Sequence, residues 1–408
     1  MPVISNKKIV ILEEESVTLP KGFIAGGMYC GIKKNKLDLG YILSEVPAIA
    51  AGVYTTNVFQ AAPLVVTQES IARENKVQAI LVNSGNANAC TGEQGINDAK
   101  TMQGEFANKL GIQKHLVAVT STGVIGEVLP IEKIQTGIGK ILELQHEDVS
   151  HFEQAILTTD TDVKHFAVQL SIAGKTVRIG GAAKGSGMIH PNMATMLGFV
   201  TTDANIDHED LQFALKEITN QTFNMITVDG DTSTNDMVLV MANGLAGNEK
   251  LTQNHPDWPL FIDGFKMVCE ALAKKIARDG EGATKLIEVQ VKNAASIEDA
   301  RALGKAIISS NLVKTAIYGT DPNWGRIVCA IGYSGVAINP NAISVSIGDF
   351  LVFSQGLPCP VIEEDVKKYL EQKEVQITVD VNQGVFQAAA WGCDLTYDYV
   401  KINASYRT

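Results

Sequence analysis

Between Val375 and Val381 the side chains alternate strictly: Val375, Ile377, Val379 and Val381 are apolar, with Gln376, Thr378 and Asp380 between them. Successive residues of a strand point to opposite faces, so this segment predicts a β-strand with one buried face. It is the clearest strand in the chain, and other segments fill in around it. Residues 77–83 (VQAILVN) form a short apolar run that ends in Ser84-Gly85-Asn86, which predicts a buried strand leading into a turn. A helix is expected over 94–110, with Gly111 placed to terminate it. Residues 116–120, 176–180 and 285–291 read as strands, with a turn at Ala173-Gly174. Helical spacing marks 130–144, 208–220 and 262–278, and Pro130 suits a first turn. Ser296 with Asp299 three residues on predicts a helix start running through Ala300 to Ser309. The result is a mixed α and β chain without repeats, low-complexity tracts or long linkers. A length of 408 residues suggests two or three domains.

Charge narrows the function classes. The chain has 34 basic and 45 acidic residues, a net charge of -11, and no lysine- or arginine-rich run. Phosphate binding needs clustered positive charge, so a nucleic-acid partner is not expected. The opening MPVISNKKIVILEEE is no signal peptide, because four apolar residues are followed at once by glutamates. No stretch approaches the ~18 apolar residues that would span a bilayer; the most apolar early segment, 41–54, is interrupted by Ser44, Glu45 and Pro47. A cytoplasmic protein without a membrane partner is expected. The six cysteines, Cys30, Cys90, Cys269, Cys329, Cys359 and Cys393, form no C-x-x-C pair. They are read as small core residues rather than as metal ligands.

Residues 184–204, KGSGMIHPNMATMLGFVTTDA, carry the most chemistry. Gly185, Gly187 and Pro191 constrain the approach to Thr195, and Met196, Leu197, Phe199 and Val200 make an apolar run suited to a buried strand. A β-branched threonine at the head of such a strand is stiffly held. If the Ala194–Thr195 bond were cut, the new α-amine could act as base for its own hydroxyl. Spacing alone equally fits an ordinary strand threonine after a glycine-rich loop.

Other patterns fail. Residues 180–187 (GGAAKGSG) lack the order of a P-loop. No G-x-G-x-x-G follows a strand. Asp229, Asp231 and Asp236 do not make a calcium loop, since Thr234 and Val240 stand where glycine and glutamate are required; no metal site is expected. His190, five residues before Thr195, is a rival base or a residue that shapes the loop.

The segment HPNMATMLGF, with KGSGMI before it, resembles the self-cleavage signature of the glutamate N-acetyltransferase (ornithine acetyltransferase) family of arginine biosynthesis. The resemblance extends to NSGNANACTG at 83–92, STGVIG at 121–126, DGDTSTND at 229–236 and DPNWGR at 321–326, so it covers almost the whole chain. It implies autocleavage between Ala194 and Thr195, giving an α chain of 194 residues (1–194) and a β chain of the remaining 214 (195–408) that together form one intertwined catalytic unit. It implies Thr195 as nucleophile and the Thr122 hydroxyl with the Gly123 amide as oxyanion hole. Substrate contacts implied are Thr158, Lys184, Thr195, Glu281, Asn403 and Thr408, with Thr159 and Thr161 close by in sequence. The roles are chemically coherent. Donors aimed at the developing oxyanion are typically worth ~3 kcal/mol each, and an amino-acid substrate offers a carboxylate to a lysine and an amine to a glutamate. Read without the resemblance, Thr122-Gly123 is a turn, and Lys184 and Glu281 are surface charges.

The implied fold is a layered α/β/β/α-type sandwich with mixed sheets, distinct in topology from the common N-terminal-nucleophile hydrolases. The implied reaction moves an acetyl group from N2-acetyl-L-ornithine to L-glutamate through acetyl-Thr195, without a cofactor; some family members also take acetyl-CoA as a co-substrate. Family members assemble as heterotetramers of two α and two β chains. Two other readings stand beside this one: a related N-terminal-threonine amidase or aminopeptidase with water as acceptor, and an uncleaved binding protein of the same fold.

Overall fold

The structure, a computed structural model, describes residues 9–141, 148–190 and 196–405. The chain divides into two units. One is built from Met1–Gly185, Asn192–Thr219 and Thr232–Leu272, the other from Ser186–Pro191, Asn220–Asp231 and Ala273–Thr408.

The first unit holds a nine-stranded sheet. Its strands are β1 (Ile9–Leu12), β2 (Phe23–Met28), β3 (Leu39–Tyr54), β4 (Lys76–Asn86), β5 (Val117–Val124), β6 (Lys164–Ile172), β7 (Lys175–Lys184) and β8 (Leu197–Thr202). After the two-residue β9 (Ile226–Thr227), which belongs to the other sheet, β10 (Met237–Ala242) completes it. The order is β1-β6-β7-β8-β10-β3-β4-β5, with β2 also on β3; β4/β5 and β8/β10 run parallel and the other pairs antiparallel. The long β3 serves two partners. Residues 39–44 pair with β2, 49–54 pair with β10, and the register to β4 slips between Leu43 and Ala48. Pro47 sits in that slip, where its missing N–H breaks no ladder bond.

Residues of β4 alternate between two cores. Ala79 and Leu81 join Met102, Phe106 and Ile134 from the covering helices, while Ile80 and Val82 join Phe152, Phe199 and Leu239. The helix expected before Gly111 runs Gly92–Leu110, and Gly111 caps it at φ 68 with its N–H on the Ala107 carbonyl. The strand from 77 does not turn at Ser84-Gly85-Asn86. It continues to Asn86 because Gly85, at φ 99, absorbs an irregularity in the pairing with β5. Residues 180–184 of the glycine-rich segment are likewise strand, and a Cβ at Gly180 would lie 2.1 Å from the Ser16 carbonyl oxygen.

The second unit carries a seven-stranded mixed sheet from β9, β11 (Leu286–Ala294), β12 (Ser344–Ile347), β13 (Phe350–Ser354), β14 (Leu357–Pro358), β15 (Glu374–Asp380) and β16 (Phe386–Cys393), in the order β14-β13-β12-β15-β11-β16-β9. The alternating segment is β15, an interior strand parallel to β11 and antiparallel to β12, with Val375, Ile377 and Val379 buried. The helix Ile297–Ser309 packs on β11 and β16. Its Ser296 hydroxyl accepts the Asp299 N–H at 3.1 Å, the cap expected from sequence. The α/β class with mixed sheets is the one expected. The cysteines depart from expectation: Cys269 and Cys393 are buried, but Cys90 and Cys329 are exposed. Both exposed cysteines lie outside the strand cores, Cys90 just before a helix and Cys329 on one.

Candidate active site

Ala194, Thr195 and Thr408 lie outside the described residues. The chain is held on either side of residues 191–195. In the second unit, the N–H groups of Met188 and Ile189 donate to the Asp229 carboxylate at 2.6 and 2.9 Å. The Ile189 carbonyl accepts from the Val228 N–H at 2.7 Å and from the Thr227 hydroxyl at 3.0 Å. Met188 takes φ 57, a left-handed conformation rare for a side chain of its kind. In the first unit, Met196 accepts from the Met237 N–H at 3.0 Å and passes into β8, all six of whose residues are buried.

Thr122 and Gly123 are not a turn. They belong to the end of β5, opposite Ser84 and Gly85 of β4. Gly123 has φ 136, and a Cβ there would fall 2.3 Å from the Gly85 carbonyl carbon, so only glycine fits. A buried polar network fixes this strand end. The Asn235 amide donates to the carbonyls of Ala87 at 2.6 Å and Ser121 at 2.8 Å, the Ser121 hydroxyl donates to Asn83 Oδ1 at 2.5 Å, and the Asn83 amide donates to the Asn86 carbonyl at 3.0 Å. Buried polar side chains satisfied in this way hold one geometry.

Lys184, the last residue of β7, is not a surface charge. It is buried, and its Nζ donates to the Thr158 hydroxyl at 2.8 Å and lies 3.7 Å from Asp160 Oδ2. Of the threonines in that stretch, Thr158 is therefore the one on Lys184, and its own N–H donates to Asp160 at 3.0 Å. Asp160 is the hub. Its carboxylate also accepts from Lys164 Nζ at 2.8 Å and from the Gly185 N–H at 2.6 Å. Burial alone would raise this carboxyl, but the Lys184 and Lys164 charges outweigh burial and hold it well below the usual carboxylate range.

Glu281 and Asn403 form a second pair, in the second unit. The Asn403 amide donates to Glu281 Oε2 at 2.7 Å. Glu281 is buried, and its N–H donates to the Ser186 carbonyl at 3.1 Å. Gly187 is needed beside it, since a Cβ there would fall 2.3 Å from the carboxyl carbon. Asn403 stands on the helix Tyr397–Ala404, which Thr396 caps by accepting the Tyr399 N–H at 3.3 Å.

His190 accepts or donates through Nδ1 to the Thr227 hydroxyl at 3.0 Å. Burial, with the Lys305 charge added, lowers its pKa to about 4, so the ring is neutral at pH 7. Asp229 is structurally bonded, as described above. Among the described residues no three metal-ligating side chains cluster, and no helix is long and apolar enough to cross a membrane.

Sequence reasoning missed Asp160, Lys164 and Asn235. Asn235 lies in the DGDTSTND segment, and nothing local shows that it reaches Ser121, 114 positions away.

The ArgJ family profile matches residues 24–408. The arginine biosynthesis bifunctional protein ArgJ of Oceanobacillus iheyensis is 57% identical over 408 residues, all of both chains. Its counterpart from Bacillus subtilis is 58% identical over 392 residues, 96% of each chain. A crystal structure of the Bacillus halodurans protein of that name superposes with a TM-score of 0.51 at 60% identity, covering 52% of this chain and all of the solved one. On a match of this extent, the chain is an enzyme, an acyltransferase of arginine biosynthesis, and belongs to the ArgJ family.

Proposed function

We propose that the chain transfers the acetyl group of N2-acetyl-L-ornithine to L-glutamate, releasing L-ornithine and N-acetyl-L-glutamate, through an ester on Thr195. The observation that carries this reading is the buried Lys184–Thr158 pair, which offers a cation and a hydroxyl to an amino-acid substrate eleven residues before Thr195 in the chain. Asn235 and Gly123 support it by fixing the backbone at Thr122, the proposed oxyanion donor. Glu281 with Asn403 supplies an acceptor for the substrate's amine.

The nucleophile arises by self-cleavage. The Thr195 hydroxyl attacks the Ala194 carbonyl carbon and the peptide C–N bond breaks, which frees the Thr195 amine and leaves Ala194 as an ester on the threonine oxygen. Water then hydrolyses that ester, freeing the Thr195 hydroxyl and the Ala194 carboxylate. Products of 194 and 214 residues follow from the 408. A solved relative is covered in full by 52% of this chain, the share that 214 of 408 residues make. In turnover the freed amine takes the Thr195 hydroxyl proton as the oxygen attacks the acetyl carbonyl. That proton passes to the ornithine nitrogen as its bond to the acetyl carbon breaks. The glutamate amine then attacks the acetyl-threonine, the ester C–O bond breaks, and a proton from the glutamate amine returns through the Thr195 amine to the Thr195 oxygen. No cofactor enters; acetyl-CoA would act only as a second acetyl donor. Two α and two β chains in the cytoplasm, with no nucleic-acid or membrane partner, complete the proposal.

The test combines intact mass with kinetics. Wild type should appear as two chains, the smaller α chain ending at Ala194 and the β chain starting at Thr195, while Thr195→Ala stays full length and inactive. Acetylornithine alone should leave one acetyl group on the β chain, and double-reciprocal plots should be parallel. An uncut but active wild type, or intersecting plots without an adduct, would refute the mechanism. Continuous ornithine release without glutamate, beyond the one equivalent that acylates each enzyme, would identify a hydrolase instead.

A further inference from the structure

Lys33 stands in the loop between β2 and β3, and its placement is set by one buried carboxylate. The N–H groups of Cys30, Gly31, Ile32 and Lys33 all donate to Asp38, at 2.6, 3.1, 2.7 and 2.9 Å. The Asp38 carbonyl in turn accepts the Ser84 N–H at 2.9 Å, which ties the loop to β4. The Lys33 stem lies against Gly85, since a Cβ built there would be 2.9 Å from Lys33 Cγ. Gly85 pairs with Gly123. At its far end the ammonium donates to the Leu157 carbonyl at 3.0 Å. Lys33 therefore reaches from the Thr122–Gly123 strand end to the residue next to Thr158, the threonine that Lys184 holds.

Charge around this point is unbalanced. Lys33, Lys164 and Lys184 supply three cations. Against them stand two carboxylates, Asp160 and Asp38, the latter fixed by four neutral amides that leave its charge in place, so one cation is in excess. Burial, followed by the charges of Lys36 and Lys184, lowers the Lys33 ammonium to about 8 against the opposing pull of Asp38 and Asp160. Like charges held together in a half-buried site favour the arrival of an anion.

We propose that Lys33 is a second anchor for the substrate's α-carboxylate, acting beside Lys184 and common to the acetyl donor and the acetyl acceptor. This rests on the amino-acid acyl-transfer reading above. The carboxylate has two oxygens, and two ammonium groups aimed at consecutive residues of one loop can each take one. The role is positioning: Lys33 fixes the amino acid against the strand end that carries Thr122 and leaves the chemistry to Thr195.

Kinetics on Lys33→Met and Lys33→Arg decide the matter. Loss of a charge-assisted hydrogen bond should raise KM for both acetylornithine and glutamate by about 10- to 100-fold in Lys33→Met. Its kcat and self-cleavage should stay close to wild type, and Lys33→Arg should recover most of the affinity. With the α-amides of glutamate and acetylornithine, wild type should be weak and Lys33→Met no weaker, which a merely structural lysine would not produce. Wild-type KM should rise as pH passes through about 8, where Lys33 loses its proton, and this rise should be absent in Lys33→Arg. Unchanged KM for the acids, or an equal loss on acids and amides, overturns the anchor. If Lys33→Met does not fold, a KM rise near pH 8 that persists in Lys33→Arg overturns it. If wild type turns over neither substrate, the acyl-transfer reading falls, and calorimetric titration with L-glutamate and L-ornithine decides the anchor separately. Weaker binding in Lys33→Met then sustains it, and equal or absent binding ends it.

Discussion

The Lys184 ammonium donates to the Thr158 hydroxyl at 2.8 Å, and both residues are tied to the Asp160 carboxylate. Two side chains 26 residues apart thus act as one group. Thr158→Val removes the hydroxyl while keeping the shape of the side chain. It should raise KM for both substrates by about 10-fold or more, the worth of one hydrogen bond to a charged group, and leave self-cleavage intact. Steady-state rates with purified two-chain enzyme give the answer.

Asp160 makes the first unit acid-sensitive. Its folded-state pKa is depressed below the ordinary 3.8, so the ionised form contributes stability that is present above that value. That stability is lost as pH falls from about 4 toward the depressed folded value. Asp160→Asn leaves Lys164 and Lys184 without their carboxylate and should cost about 3–5 kcal/mol at neutral pH, as breaking a buried pair usually does. Urea unfolding at pH 7 and pH 3 should show the variant less stable at pH 7 and the gap between the two proteins narrowing at pH 3.

Gly123→Ala places a methyl 2.3 Å from the Gly85 carbonyl carbon in a backbone conformation that alanine resists. A destabilisation of ~2 kcal/mol or more is expected, from strain and overlap together. Thr122→Ala, in contrast, should fold normally and lose roughly 10- to 1000-fold in turnover as one oxyanion donor disappears. Denaturation curves separate the two variants, and a fully active Thr122→Ala would show that its hydroxyl points elsewhere.

His190 is neutral at working pH because burial lowers it to about 4, and its Nδ1 is engaged by Thr227. Once the chain is cut, His190→Ala should keep most of its kcat. The pH profile of both proteins should show one ionisation at or below the ~7.7–8 of a free α-amine. A ~100-fold loss in the cleaved variant would make His190 the general base in place of the Thr195 amine.

Asp229 holds the approach to residue 190 through the Met188 and Ile189 amides. Asp229→Asn keeps the size of the side chain but weakens both acceptors. It should slow self-cleavage by about 10-fold or more while the cleaved fraction keeps near-normal KM. A time course of chain appearance on a denaturing gel measures this directly.

Features governed by neighbouring residues could be read from the sequence. The alternation at Val375–Val381, the Ser296 cap and the Gly111 stop each depend on a period or on a contact within one turn, so the pattern alone specifies β15 and two helix ends. The candidate residues Thr122, Gly123, Thr158, Lys184, Glu281 and Asn403 came from resemblance, since no local period distinguishes a site lysine from a surface one. Only the folded chain decided that Lys184 is buried on Thr158, that Gly85 continues a strand instead of turning it, and that Asp160, Lys164, Asn235 and Lys33 belong with them. Those contacts join segments up to 124 positions apart, as between Lys33 and Leu157, and they exist because sheet pairing brings distant strand ends together. The free energy of placing a charge depends on what surrounds it in space, and the order of residues along the chain does not contain that information.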